Sequence, residues 1–260
     1  MKNDISKVIA NTAYHTYEKK LNKEVLEGQI PHHVAIIMDG NRRFAREFGL
    51  EASEGHEKGK EKLEELMEWC LELGIKVLTV YAFSTENLER DKDEVDFLMD
   101  LFEHNFLRLA EDERIHKYHI KLTVIGQTEL LPQRVQDAIQ VAQKATENYS
   151  DYYYNIAIAY GSRQEILQAI KVIAQEVKDG TIQVDQIDEE YFSKYLYTAD
   201  FPDPDLILRT SGEERVSNFL LWQLAYSELY FTDVYWPGFR KVDFLRAIRS
   251  FQQRQRRFGK

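Results

Sequence analysis

A chain of 260 residues, 43% of them hydrophobic, can bury one large core. Its net charge of −10 excludes a surface built for nucleic acid, so no such partner is expected, and any phosphate site must be a local gathering of arginines. The single cysteine, Cys70, excludes an internal disulfide framework and fits a reducing, cytoplasmic setting.

Residues 1–27 carry apolar side chains at Ile5, Val8, Ile9, Ala13, Tyr14, Tyr17, Leu21 and Val25. Steps of three and four predict an amphipathic helical extension that packs on the body of the protein. The segment is charged and lacks the apolar core of a signal peptide. Gly28 and Pro31 break it before a domain spanning 28–260. No apolar run approaches the ~20 residues that cross a bilayer.

The run 34–38 reads as a buried parallel strand that stops at Asp39-Gly40-Asn41. Gly40 and Asn41 suit a tight turn, and Arg42-Arg43-Phe44-Ala45-Arg46 can open a helix. Strand, small-residue turn and helix start aim backbone N–H groups at one point, where an anion is attracted. Two arginines beside them can fork onto phosphate oxygens. A carboxylate facing a phosphate needs a cation between the two, and a hard divalent ion, Mg²⁺, fits Asp39 with a diphosphate. The same tripeptide also suits a plain helix cap.

A helix marked by Leu63, Leu66, Met67, Cys70 and Leu71 ends at Gly74. A second buried strand over 77–83 carries the polar run Ser84-Thr85-Glu86-Asn87-Leu88-Glu89-Arg90 at its end, where α/β proteins build their sites. The helix over about 94–113 has a broad apolar stripe, including Leu98, Leu101, Phe102 and Phe106. Such a stripe fits a doubly buried helix or one wall of an apolar cavity. Further strands are expected at 120–125, 154–160, 206–208 and near 229–232. Helices are expected over 131–145, from 162 to 177, over 187–196 with Asp188 as cap, and from Val242 on. This alternation predicts an α/β fold: one domain with a central, mostly parallel sheet of about six strands flanked by helices.

Standard signatures are mostly absent: there is no P-loop, dinucleotide fingerprint, zinc-binding helix or serine nucleophile elbow. His32 and His33 are neighbours on a strand, so they point to opposite faces and make no metal pair. What remains is two arginine-bearing clusters at strand ends. One holds Asp39, Arg42, Arg43 and His56; the other holds Arg209, Arg215 and Ser217. Two anion subsites and a metal carboxylate suggest two phosphorylated substrates meeting, although any single arginine could be a surface ion pair worth ~0–1 kcal/mol.

The sequence resembles the cis-prenyltransferases, the Z-type polyprenyl diphosphate synthases. The likeness rests on four blocks in order: 33–45, 81–90, 209–228 and the closing Arg256-Arg257-Phe258-Gly259. It implies an enzyme that elongates an allylic diphosphate, farnesyl or geranylgeranyl, with isopentenyl diphosphate units into a long Z-polyprenyl chain, the precursor of a glycosyl carrier lipid. It implies that Asp39 holds Mg²⁺ on the diphosphate, with Glu228 also given a metal role. Gly40, Asn41, Arg42, Arg43 and His56 would cradle the allylic diphosphate, with Phe44 packed beside the substrate. Ser84, Thr85, Glu86, Leu88 and Arg90 belong to the block whose loop closes over the substrates, and Asn87 would sit where a proton leaves. Arg209, Arg215, Val216 and Ser217 would hold isopentenyl diphosphate. Leu98, Leu101, Phe102 and Phe106 would line a hydrophobic tunnel, with the run Tyr152-Tyr153-Tyr154, Tyr152 above all, at its floor. A homodimer is implied, with Arg257-Phe258-Gly259 reaching the neighbouring site, and the lipid product suits peripheral membrane contact. Arg42 and Phe44 stand where bacterial members carry Gly and Trp, which resembles the archaeal form; Leu88 and Ala52 replace a Trp and an Arg of many members. Two other readings are a non-catalytic scaffold subunit and an Mg-dependent phosphohydrolase.

Overall fold

The structure is a computed structural model that describes residues 2–254, with side chains from residue 14 onward. In chain order the elements are α1 (Lys2–Leu26), β1 (His33–Ile37), α2 (Asn41–Glu47), α3 (Ala52–Leu73), β2 (Val77–Ser84), α4 (Lys92–Glu111), α5 (Glu113–Lys117), β3 (Ile120–Ile125), α6 (Gln133–Ala145), β4 (Tyr152–Tyr160), α7 (Ser162–Lys178), α8 (Glu189–Ser193), β5 (Leu206–Arg209), β6 (Glu228–Phe231) and α9 (Lys241–Gln253). A single 3-10 turn, Thr85–Glu89, follows β2.

The six strands form one sheet in the order β3-β4-β2-β1-β5-β6, and every pairing is parallel. The pleat sorts β1 between two cores: Val34 and Ile36 face a large cluster with Leu66, Leu98 and Phe106, while Ala35 and Ile37 face a smaller one with Tyr160, Phe219 and Leu220. Burial on both faces is why these strands read as continuous apolar runs. His33 fixes the start of β1. Its ring bonds Pro202 O at 2.6 Å and Thr79 Oγ1 at 2.8 Å, deep in the sheet.

The chain leaves β1 toward β2 on one side and returns as β5 on the other. The crevice at the C-terminal ends of such strands is where open α/β sheets bind ligands. Register places Ile37 beside Arg209, so the residues that follow them, Asp39 and Thr210, meet above the sheet.

Element bounds depart from the sequence expectation where local chemistry intervenes. α4 stops at Glu111 because Asp112 turns outward and caps α5 through Arg114 N at 2.8 Å. β4 begins two residues early, at Tyr152. α3 starts at Ala52, well before its apolar stripe begins, and its first turns include Gly55 and Gly59. A Cβ on either would come within 2.5 Å of an Asn41 oxygen, so these glycines let α3 press against the start of α2. The end of α1 joins the main core through Leu21 and Val25, and Gln252 of α9 donates to Val25 O at 2.8 Å. The closing Arg256-Arg257-Phe258-Gly259 lies outside the described residues.

Candidate active site

Asp39 sits two residues past the end of β1, and its backbone is clamped. Its N–H donates to Thr210 Oγ1 at 2.9 Å, its carbonyl accepts from the same hydroxyl at 2.7 Å, and Trp236 N–H also donates to that carbonyl at 3.0 Å. Gly40 follows at φ 107°, a left-handed turn in which a Cβ would strike Tyr235 at 2.9 Å. α2 begins at once, so its first backbone N–H groups face the cavity without helical partners.

Two arginines meet the Asp39 carboxylate on one oxygen, Oδ2: Arg209 Nη2 at 2.8 Å and Arg43 Nη2 at 3.1 Å. Burial pushes the Asp39 pKa up, but Arg209 and then Arg43 outweigh it and hold the group below the ordinary carboxylate range. Arg209 is 5% exposed; its Nη1 donates to Arg215 O and to Ser217 Oγ at 2.7 Å. Its Nε is buried with no hydrogen-bond partner among the described residues, as is Asn41 Oδ1. Arg43 also bonds Glu213 at 3.0 Å. The loop that supplies Ser217 runs through left-handed backbone at Ser217, Asn218 and Leu220, a conformation costing non-glycine residues ~1–3 kcal/mol each and typical of binding sites. It is tied down where Ser162 N donates to Asn218 O at 2.8 Å and Leu221 N to Ser162 Oγ at 2.9 Å.

A second cationic group faces the first. Glu94, at 13% exposure, accepts from Arg90 at 2.9 Å, from His56 Nε2 at 3.1 Å and from Arg42 at 3.4 Å. His56 Nδ1 lies 3.5 Å from Asn41 Nδ2. Burial lowers the His56 pKa, with Glu94 opposing. Beyond β2, Asn87 Oδ1 accepts from Ser84 N at 3.1 Å, which folds 84–89 into its turn, and Glu86 meets Asn218 at 3.4 Å.

These groups, apart from Glu94, which stands behind Arg42, His56 and Arg90, line a 950 Å³ cavity that runs between α3 and α4 over the sheet. Its middle is apolar: Leu63, Met67, Phe83, Leu98, Leu101, Phe102, Phe106, Tyr154, Ile156 and Ile158. Charged head and greasy body suit an amphiphile with an anionic end.

Asp39, Gly40, Asn41, Arg42, Arg43, His56, Ser84, Glu86, Asn87, Arg90, Arg209, Arg215 and Ser217 all line this cavity, as do Leu98, Leu101, Phe102 and Phe106. Six expected residues stand apart from its lining. Phe44 turns onto Phe48, one helical turn on, with ring centroids 4.6 Å apart. Thr85 and Leu88 lie in the 3-10 turn, Leu88 packing against the main core, and Val216 packs on the smaller core. Tyr152 lies under Lys76, with Nζ 4.0 Å from its ring centroid, and Tyr154, two residues further along the strand, lines the cavity in its place. Glu228 pairs with Leu206 at the opposite end of β5 from Arg209 and bonds Arg254 at 2.9 Å, so within one chain it does not share a metal with Asp39. Sequence reading missed Glu94, although its spacing of four from Arg90 on a helix was a signal. It also missed Glu213 and Asn218; of the expected run 152–154, Tyr154 is the ring that lines the cavity.

Among the described residues no three His, Cys, Asp or Glu side chains gather into a metal cage. One carboxylate facing a phosphate subsite still fits Mg²⁺, which takes one or two carboxylates and completes its shell with substrate oxygens and water.

A family model described as "Putative undecaprenyl diphosphate synthase" matches residues 37–259. The chain belongs to this family of prenyltransferases. It is 58% identical over 98% of its length to a "tritrans,polycis-undecaprenyl-diphosphate synthase (geranylgeranyl-diphosphate specific)" of Methanopyrus kandleri, covering 94% of that protein. It is 55% identical to the protein of that name from Pyrococcus horikoshii, over 98% of this chain and 97% of the relative. Among solved structures, a lavandulyl diphosphate synthase from Lavandula x intermedia, in complex with dimethylallyl diphosphate, superposes with a TM-score of 0.85 at 40% identity, covering 89% of this chain and 99% of that one. A "probable undecaprenyl diphosphate synthase" from Campylobacter jejuni gives 0.72 at 35%, over 89% and 100%. No helix among the described residues is long and apolar enough to cross a membrane.

Proposed function

We propose that the chain condenses isopentenyl diphosphate onto geranylgeranyl diphosphate, repeatedly, to make a long Z-polyprenyl diphosphate, the precursor of a glycosyl carrier lipid. One observation carries this reading: the Asp39–Arg43–Arg209 cluster stands at the mouth of a long apolar cavity. The names of the archaeal relatives support the primer.

Gly40, Asn41, Arg42, Arg43, His56 and Arg90 take the allylic diphosphate, and its tail enters between α3 and α4. Arg209, Arg215 and Ser217 take isopentenyl diphosphate. Asp39 would hold Mg²⁺ against the allylic diphosphate, and the ion would neutralise charge on the leaving group. The allylic C–O bond breaks, C1 joins C4 of isopentenyl diphosphate, and a proton leaves C2. Arg43 and Arg42 stabilise the charge that grows on the departing diphosphate, more in the transition state than in the substrate. Asn87 is no base; held by Ser84 N, it orients the leaving proton toward a diphosphate oxygen. The loop carrying Ser84, Thr85, Glu86 and Leu88 closes over both substrates. The enzyme works as a homodimer, and its lipid product brings it to a membrane surface.

Purified protein with Mg²⁺, labelled isopentenyl diphosphate and either primer tests the reading. A ladder of Z-prenyl diphosphates from geranylgeranyl diphosphate, lost on chelation, is the expected result. Free diphosphate without elongation would replace it with a hydrolase; no turnover at all would favour a scaffold subunit.

A further inference from the structure

The loop that carries Ser217 into the cavity holds an unfavourable backbone, with φ 46° at Ser217, 61° at Asn218 and 47° at Leu220. Asn tolerates this left-handed region; Ser and Leu keep it only where their surroundings enforce it. The enforcement centres on Asn218. Its carbonyl accepts from Ser162 N–H at 2.8 Å, its Oδ1 accepts from Arg163 N–H at 2.9 Å, and its Nδ2 donates to Gln164 Oε1 at 3.1 Å. Nδ2 also faces Glu86 Oε1 at 3.4 Å. Ser162 and Arg163 open α7, and Gly161 before them has no side chain with which to cap the helix. Asn218 therefore caps α7 from 55 positions away, satisfying donors that a helix start leaves free. Ser162 Oγ ties the loop a second time by accepting from Leu221 N–H at 2.9 Å. Gly161 admits the contact, since a Cβ there would stand 2.7 Å from Asn218 Nδ2.

We propose that Asn218 is a positioning residue for isopentenyl diphosphate: it holds Arg215 and Ser217 in place by seating their loop on the N-terminus of α7. The inference rests on the assignment of Arg209, Arg215 and Ser217 to that substrate. Ser217 Oγ and the Arg215 carbonyl both accept from Arg209 Nη1, so one loop conformation sets all three groups. Without the Asn218 side chain the loop relaxes toward ordinary φ values, and Ser217 leaves Arg209. Asn41, Arg42 and His56, which take the primer, belong to other elements, α2 and α3, so binding of the primer is spared. Asn218 itself lines the cavity, whereas Ser162 is buried outside its lining, and this separates support of the loop from contact with the substrate.

The test is calorimetry on the full chain with Mg²⁺ and a non-cleavable geranylgeranyl thiodiphosphate, which measures the Kd for isopentenyl diphosphate; a separate titration measures the Kd for the thiodiphosphate. Asn218→Gly keeps the left-handed backbone and removes the side chain. It is expected to weaken isopentenyl diphosphate by about tenfold, the scale of one or two hydrogen bonds, and to leave the Kd for the primer analogue unchanged. Ser162→Ala cuts the tie to Leu221 from outside the cavity and is expected to weaken isopentenyl diphosphate in the same way, but by less. Glycine adopts this backbone readily, so the first variant should fold, and Ser162→Ala carries the test if it does not. Natural affinity for isopentenyl diphosphate in Asn218→Gly overturns the proposal. So does an unchanged Kd in Ser162→Ala, since Asn218 would then act by direct contact, and so does an equal loss for both ligands, which would mark a general defect of the fold. If the natural protein binds no isopentenyl diphosphate, the assignment of the subsite fails first and the seat falls with it.

Discussion

The two ends of one cavity both gather arginines and carboxylates, yet they are built differently. At the mouth, Asp39 and Arg209 come from strand ends 170 positions apart; Thr210 and Trp236 fix the Asp39 backbone, and Thr232 N donates to Arg209 O at 3.0 Å. Their loop stores strain at Ser217, Asn218 and Leu220. At the far end Lys60, Glu64, Arg108 and Arg114 line the cavity from helix surfaces and pair partly within one stretch, as in Lys60 with Glu64 and Arg114 with Asp112. Rigid strand ends hold charge where a transition state needs it, at no reorganisation cost. Half-exposed helical pairs are worth little individually and can rearrange. The mouth is the more rigidly built of the two ends.

Substitutions at the mouth should therefore change rate more than those at the far end. Asp39→Asn is expected to lower kcat by ~10³-fold, the scale for losing a main electrostatic stabiliser. Single-turnover elongation measures this beside Arg108→Leu; equal losses would erase the contrast between the ends.

The next effect belongs to neither end and serves as a control on the sheet. Burial lowers the His33 pKa to about 4 from an ordinary 6.5, with Pro202 O and Asp205 opposing. Between those values the unfolded chain binds a proton that the folded chain refuses. Stability is therefore full above pH 6.5 and falls as pH drops toward 4, by about 3 kcal/mol. Urea unfolding at pH 7.5 and pH 4.5 should show the loss, and His33→Gln should shrink it; an equal loss in the variant would place the proton elsewhere.

Arg209→Lys keeps the charge but cannot reach Asp39, Ser217 and the Arg215 carbonyl together, so kcat/KM for isopentenyl diphosphate should fall by about 10²-fold, two charged hydrogen bonds' worth. Steady-state kinetics with saturating primer would show this; a loss confined to the primer's KM would reverse the assignment of the two diphosphates. Smaller still is Glu94→Gln. It releases Arg42, His56 and Arg90 from a common anion and should raise the KM for the allylic primer by about tenfold, since ~1.4 kcal/mol is one decade. It also removes the group that opposes burial at His56, so the His56 titration, followed by NMR, should move to lower pH. An unmoved titration would show that Glu94 does not govern the ring.

Most of the strands were legible because they are apolar runs buried on both faces, although β3 is mixed and the edge strand β6 is only partly buried; Asp39, Arg43 and Arg209 were legible because strand ends are where α/β sites form. The first turns of α3 were hidden by Gly55 and Gly59, whose low helix propensity serves a close contact with Asn41 that only the fold reveals. The helix stripe at Leu98–Phe106 was legible as apolar, but not as a wall, since nothing local separates a cavity from a packed core. Tyr152 and Tyr154 share one face of β4, so pattern alone could not say which of them the cavity reaches. Glu228 entered by likeness to a motif; the register of β6 against β5 sets it beside Leu206, at the other end of β5 from Arg209. Glu64 and Arg108 carry no sequence signal as a pair, being 44 positions apart on two helices.

The most direct test is a structure of the protein with Mg²⁺ and a non-cleavable geranylgeranyl thiodiphosphate. The diphosphate is expected on Gly40–Arg43, the ion between it and Asp39, and the tail running past Leu98 and Phe102 toward Arg108. A diphosphate seated on Arg108 and Arg114, with the tail pointing back toward Asp39, would contradict it.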